Sequence, residues 1–257
     1  MCTTCGCGSE RAHAHDHAHH HPHDHDHAHA HDDDRAARTL RLERELLAKN
    51  TRLAADNRRA AARDRLSIFN LIGSPGAGKT AILEALVRRL RAEVPVAVLE
   101  GDQATDNDAR RIESAGCPVV QINTGTGCHL DASMIERGLA ALAPSRGSVV
   151  FVENVGNLVC PALFDLGERA KIVVMSVTEG EDKPLKYPHV FRAAEALVLT
   201  KTDLAAHVDF DEARCLAHAR EIAGRGLDVL RTSAKRGEGI DQLASWIRRR
   251  ATTEVPA

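Results

Sequence analysis

Aromatic side chains are scarce in this chain: one Trp, one Tyr and five Phe make up 3% of 257 residues. So few rings give single-stranded nucleic acid little to stack on. An excess of charge is also missing, because the formal net charge is only −2. A broadly phosphate-seeking surface is therefore not expected, and no nucleic-acid partner with it. No run of eighteen apolar residues occurs, so no membrane-spanning helix is expected. The N-terminal stretch lacks the apolar core of a secretory signal. Together these absences point to a cytoplasmic home. There the seven cysteines would be thiols, and closely spaced ones read as metal or redox ligands before they read as disulfides.

What the chain has in abundance is histidine at one end. Met1-Cys2-Thr3-Thr4-Cys5-Gly6-Cys7-Gly8 runs into eleven histidines between His13 and His31, spaced by Ala and Asp. Thiolate and imidazole suit borderline and soft transition metals. Ala, His and Asp cannot build a core, so residues 1–34 are expected to form a disordered metal-binding tail. Residues 35–65 carry ten Arg or Lys against four Asp or Glu. Leu40, Leu47, Ala54 and Ala61 recur every seven, which predicts a basic amphipathic helix, broken around Asn57. Its charges read as a solvated outer face.

From residue 66 to 257 the pattern is that of one α/β domain, roughly 190 residues long and large enough for a sizeable core. Apolar runs predict strands at 67–72, 95–99, 148–152, 171–177, 196–200 and 228–231. Helices are expected over 79–92, 105–115, 131–143, 186–194, 209–223 and 239–250. Continuous apolar strands separated by helices imply a mostly parallel sheet covered on both faces.

Gly73-Ser74-Pro75-Gly76-Ala77-Gly78-Lys79-Thr80 matches G-x-x-x-x-G-K-T between an expected strand and an expected helix. Its backbone N–H groups, including those of Ser74, Gly76, Ala77 and Gly78, can approach phosphate oxygens at a helix N-terminus. Lys79 would reach the β- and γ-phosphates, and Thr80 would ligate Mg²⁺. The strand at 148–152 ends in Glu153, a carboxylate for the same magnesium. Gly156 follows in an E-x-x-G that would sense the γ-phosphate. A second acidic cluster, Glu100, Asp102, Asp106 and Asp108, could complete the site, with Asp102 and Asp108 as the candidates. Thr200-Lys201-Thr202-Asp203 is similar to the guanine-reading N-K-x-D. Asp203 would accept from guanine N1 and N2, and Lys201 would pack over the base. Ser233-Ala234-Lys235 resembles the S-A-K loop that contacts guanine O6. Thr200 stands where the pattern has Asn, which places base contact or bracing of the phosphate loop in question.

Cys128 and His129 follow a Gly-rich turn and precede Asp131, a helix-capping residue. Cys160 lies seven residues after Glu153. A lone cysteine is more often a small buried hydrophobe. Beside a phosphate sensor, in a chain with a metal tail, these three instead read as an incomplete tetrahedral site that a second copy or water would complete. Cys117 and Cys215 have no such company, and Cys215 is expected in the core.

The start at Met1–Gly8, the loop Gly73–Thr80, Gly101-Asp102-Gln103, Asn123–Asp131, Glu153-Asn154-Val155-Gly156-Asn157-Leu158-Val159-Cys160-Pro161 and Thr178-Glu179-Gly180-Glu181-Asp182-Lys183-Pro184 together resemble the hydrogenase nickel-incorporation GTPases, the maturation factor HypB family. The resemblance covers nearly the whole chain. The related urease-accessory GTPases fit less well, because their switch groups Cys, Pro and His, whereas Ala162 follows Pro161 here. The resemblance implies a P-loop GTPase of the SIMIBI class using GTP and Mg²⁺. It implies a GTP-dependent homodimer with Cys128, His129 and Cys160 binding metal near the interface. It implies delivery of Ni²⁺ to the large subunit of NiFe hydrogenase, helped by a small zinc-containing nickel chaperone. Zn²⁺ suits the internal cysteines and histidine as well.

On that reading Cys2, Cys5 and Cys7 with the N-terminal amine offer a square-planar Ni²⁺ site, and the histidines offer weaker storage sites. GTP would order the switches and hydrolysis would release them. No obvious glutamine positions water, so slow intrinsic turnover is expected. The rival readings are a small-molecule P-loop kinase, a nickel or zinc storage protein, and a urease-type nickel-delivery GTPase. The kinase leaves Cys128, His129, Cys160 and the tail unexplained.

Overall fold

The computed structural model describes residues 28–102, 107–224 and 226–252. The chain divides into two units, Met1–Lys49 and Asn50–Ala257. Helix α1 spans Ala28–Asp64, so it starts inside the histidine tract, ahead of the expected boundary at residue 35. It also runs unbroken through Asn57, contrary to the break expected there. Asn57 is buried, and its side-chain amide donates outward to Ala132 O and Leu166 O rather than competing with the helix backbone.

Seven parallel strands follow: β1 (Ser67–Ile72), β2 (Val96–Asp102), β3 (Val119–Asn123), β4 (Val149–Glu153), β5 (Ala170–Ser176), β6 (Ala196–Thr200) and β7 (Asp228–Arg231). Their order is β3-β2-β4-β1-β5-β6-β7, and every pairing is parallel. This is the all-parallel α/β sheet that the sequence led us to expect. Strand β3 was not expected. It sits at an edge and is only partly buried, so its Val-Val-Gln-Ile-Asn carries a weaker apolar signal than the central strands.

The helices are α2 (Lys79–Leu90), α3 (Asn107–Ser114), α4 (Ala132–Leu142), α5 (Cys160–Leu163), α6 (Lys183–Lys186), α7 (Pro188–Ala193), α8 (Glu212–Ala223) and α9 (Ile240–Thr252). The helix expected over 186–194 is α7, which begins at Pro188, a residue without an N–H to continue a preceding turn; the short α6 before it was not expected. Asp131 and Asp211 cap α4 and α8 by accepting from Met134 N and Arg214 N.

Successive strand residues point to opposite faces. Phe69, Leu71, Val98, Phe151 and Val174 pack toward α2 and α9. Ile68, Leu99, Val150 and Val152 face Ala61 of α1 and Ile135 of α4, while Val173, Leu197 and Leu199 face Phe191 and Cys215. Because all strands run the same way, their C-terminal ends lie at one edge. The phosphate loop, Asp102, Glu153 and Thr200 therefore emerge together, where open α/β sheets bind ligands.

Candidate functional site

The phosphate loop joins β1 to α2, and its glycines are required by contact and by conformation. A Cβ on Gly73 would fall 2.4 Å from Val174 O, so only glycine lets the loop lie against β5. Gly76 and Gly78 have φ of 73° and 96°, the left-handed region that favours glycine. Lys79 is buried, and its ammonium donates to Gly73 O at 3.2 Å and Ser74 O at 3.3 Å. Burial lowers its pKa, opposed by the charge of Glu153. Ser74 Oγ meets a second lysine, Lys183 Nζ, at 2.9 Å. Lys183 is also paired with Glu179 at 3.0 Å. In the sequence Lys183 stands out only as part of the Thr178–Pro184 run. Its contact across 109 residues is tertiary and leaves no local signal.

Thr80 Oγ1 donates to Glu153 Oε1 at 2.8 Å. Glu153 stands opposite Glu100 in the β2–β4 register. Each of these two carboxylates keeps one buried oxygen, Oε2, with no hydrogen-bond partner. Burial raises the pKa of Glu153 to about 7 and that of Glu100 to about 8, and in Glu100 the charges of Glu153 and Asp102 add to it. Two such carboxylates are relieved by a proton or by a cation. Unpartnered oxygens beside a threonine hydroxyl are hard donors of the kind Mg²⁺ takes, so the residues present fit that ion. Asp102 ends β2 nearby, with Thr124 N donating to its carbonyl at 3.0 Å. Asp108 lies on α3, where its carboxylate pairs with Arg111 at 3.0 Å. Asp106 lies outside the described residues.

At the other end of the loop is a cavity of about 230 Å³ lined by Gly78, Ala81, Ile82, Thr200, Lys201, Asp203, Leu204, Ala234 and Lys235. It brings together the two segments expected to read the base. Asp203 Oδ1 accepts from Ser233 Oγ at 2.7 Å, which holds its pKa below the usual carboxylate range. Lys201 has a left-handed φ of 56°, and its Nζ donates to Gly76 O at 2.7 Å. Thr200, the departure from the pattern, bears on the bracing of the loop. Its hydroxyl is buried and donates to Ala77 O, so a side chain at this position still braces the phosphate loop.

The metal candidates meet as well. Cys128 Sγ lies 3.1 Å from Cys160 Sγ and 3.6 Å from His129 Nδ1, and the three residues offer ligand atoms within 4.8 Å of one another. Burial lowers the His129 pKa, which favours the neutral, ligating imidazole. Its ring packs on Phe164 at 4.0 Å. Cys117 and Cys215 are buried elsewhere, and burial pushes their thiols up to about 11 and about 12. Cys2, Cys5 and Cys7 lie outside the described residues.

Between the two sites runs the segment 153–160. Asn154 Oδ1 accepts from Leu130 N at 3.2 Å, and its Nδ2 donates to Asn70 Oδ1 at 3.2 Å. Asn70 in turn donates to Glu168 at 3.1 Å. Asn157 Nδ2 donates to Cys128 O at 3.2 Å. A Cβ on Gly156 would fall 2.8 Å from Pro75 Cγ, so the same segment lies against the phosphate loop. Asn154 and Asn157 were missed as individual residues. Their place in the Glu153–Pro161 run was the available signal.

Two outcomes are expected. Thr200→Val keeps the side-chain shape without the hydroxyl, and GDP affinity read by a fluorescent analogue should fall about tenfold, or about 1.4 kcal/mol. In chelator-treated protein, folded Glu153 binds its proton up to about pH 7, whereas the unfolded chain releases it near the ordinary 4.5. The folded state thus holds more protons in that window, and wild-type stability falls as pH rises through it. Glu153→Gln removes this slope. Its stability advantage in denaturant unfolding should grow between pH 4.5 and 7, by on the order of 3 kcal/mol, and then level off.

Comparison with known proteins agrees with this geometry. The family CobW/HypB/UreG, nucleotide-binding domain, matches residues 67–226. Hydrogenase maturation factor HypB of Azotobacter vinelandii is 51% identical over 221 residues, covering 86% of this chain and 73% of that protein. The crystal structure of HypB from Archaeoglobus fulgidus superposes with a TM-score of 0.74 at 36% identity, covering 80% of this chain and all of that one. HypB from Helicobacter pylori, solved in complex with nickel, gives the same TM-score at 32% identity and the same coverage of both chains. With these matches, and with its phosphate loop and Cys-His-Cys cluster on one sheet edge, the chain belongs to the HypB family of hydrogenase maturation factors.

Proposed function

We propose that the protein is a GTP-hydrolysing nickel metallochaperone. It stores Ni²⁺ on its N-terminal tail, through Cys2, Cys5, Cys7 and the histidine tract. It delivers Ni²⁺ in the cytoplasm to the large subunit of NiFe hydrogenase, with a small zinc-containing nickel chaperone as helper. The observation that carries the reading is that the segment bearing Cys160 begins at Glu153, the carboxylate bonded to the phosphate-loop Thr80. The helix-forming loop 73–80 and Lys79 bind the phosphates. Thr80 and Glu153, with Glu100 and Asp102 close by, are the oxygens that would hold Mg²⁺. When bound, that ion offsets negative charge on the phosphates. Asp203, ionised and oriented by Ser233, accepts from guanine N1–H and N2–H, donors that adenine does not offer. Ala234 and Lys235 line the same cavity.

The cargo sits at Cys128, His129 and Cys160, two thiols and an imidazole that suit Ni²⁺ and also Zn²⁺. A fourth ligand comes from water or from a second copy in a GTP-dependent homodimer. The hydrogen bonds of Asn154 and Asn157 to the 128–130 loop make the cluster sensitive to any shift of Glu153 or Gly156. Nucleotide state thereby sets metal retention, and metal sets nucleotide affinity by the same factor.

The test is hydrogenase activity in cells whose chromosomal copy carries Cys160→Ala. Activity should fall to background at low nickel and recover when nickel is added to the medium. Undiminished activity at low nickel would contradict delivery through this cluster.

A further inference from the structure

The Cys128–His129–Cys160 cluster is made by two segments that meet only in space, one leading into α4 and the other passing through α5. Each segment is followed by a stretch that α1 grips from outside the nucleotide-binding domain. Two buried asparagines of α1, Asn50 and Asn57, do the gripping. They are seven residues apart, two helical turns, and so share one face.

Each asparagine bridges both segments. Asn50 Oδ1 accepts from Ala132 N at 2.9 Å, while its Nδ2 donates to Asp165 O at 2.7 Å. Asn57 Nδ2 donates to Ala132 O at 2.8 Å and to Leu166 O at 3.0 Å. Ala132 is three residues after His129, and Asp165 and Leu166 are five and six residues after Cys160. Asp165 directly follows Phe164, whose ring packs on His129. The four bonds therefore fix one metal-bearing segment against the other.

The same helix face is shaped for close approach. Ala54 is fully buried between the two asparagines. A Cβ on Gly167, which has φ of 84°, would fall 2.6 Å from Ala54 O and 2.7 Å from Asn57 Cβ. Arg58 adds a two-pronged ion pair to Asp165 at 2.9 and 3.0 Å. Bonds made only to pack a helix would not need both amides to span the same two segments, with backbone groups on each as their partners.

We propose that residues 50–58 of α1 are a positioning strap for the internal metal cluster, with Asn50 and Asn57 as its positioning residues. They act through Ala132 and the 165–166 backbone to set the spacing of the Cys128–His129 pair from Cys160. The proposal rests on the reading of those three residues as a metal site. It adds that a helix outside the nucleotide-binding domain tunes that site.

The test uses the full chain carrying Cys2→Ser, Cys5→Ser and Cys7→Ser, titrated with Ni²⁺. Thiolate-to-nickel charge-transfer absorption then reports on Cys128 and Cys160, because the remaining thiols are buried and protonated. In this background Asn50→Ala, Asn57→Ala and Gly167→Ala should each weaken nickel binding about tenfold and shift the band. GDP affinity measured without nickel should stay unchanged. An unaltered band and affinity in all three variants, with the band lost in the combined Cys128→Ser and Cys160→Ser variant, would overturn the strap and leave the metal site standing. A band that survives the combined Cys128→Ser and Cys160→Ser variant would overturn both. A parallel fall in GDP affinity would mean that α1 only stabilises the domain, and would also overturn the strap.

Discussion

Eight residues, Glu153 to Cys160, run from a contact with the phosphate loop at one end to the Cys-His-Cys cluster at the other. The Thr80–Glu153 hydrogen bond anchors the first end, and the approach of Cys160 to Cys128 anchors the second. Strand β4 places Glu153 in the sheet beside β1, and the chain then leaves the sheet with little slack. Asn154 and Asn157 tie it to the 128–130 loop as it goes. Buried amides of this kind are costly to leave unpaired, so the segment moves with its partners or not at all. That is the physical basis of the communication we propose between the two sites.

Electrostatics adds to this constraint. Glu100 and Glu153 are both buried, both keep an unpartnered oxygen and both titrate well above the ordinary carboxylate range. Lys79 compensates in part, but its ammonium is directed at the carbonyls of Gly73 and Ser74. Without a cation the two carboxylates are therefore relieved by holding protons near neutral pH. A divalent cation would take the place of those protons, which links ligand binding to the position of Glu153.

Much of this was legible in the sequence because its signals are local. The phosphate loop, the central strands, the Asp131 cap and the Cys128, His129 and Cys160 candidates all show in short runs of residues. What was not legible depends on contacts across the fold. Asn57 reads as a helix breaker by propensity, yet its amide is used up by carbonyls 75 and 109 residues away. Thr200 reads as a departure from a base-reading pattern, yet its hydroxyl reaches Ala77. Edge strand β3 is too weakly apolar to stand out. Glu100 was one of four acidic candidates, and its register against Glu153 and its unpartnered buried oxygen, both set by the fold, mark it out.

Coupling between nucleotide and metal is the core of this account. Its most direct test is Ni²⁺ affinity at the Cys128–His129–Cys160 cluster, measured in protein saturated with GDP and again with a non-hydrolysable GTP analogue. The account expects the two affinities to differ by about 5- to 150-fold, the usual range for linked sites. Equal affinities, with Cys160 intact, would contradict it.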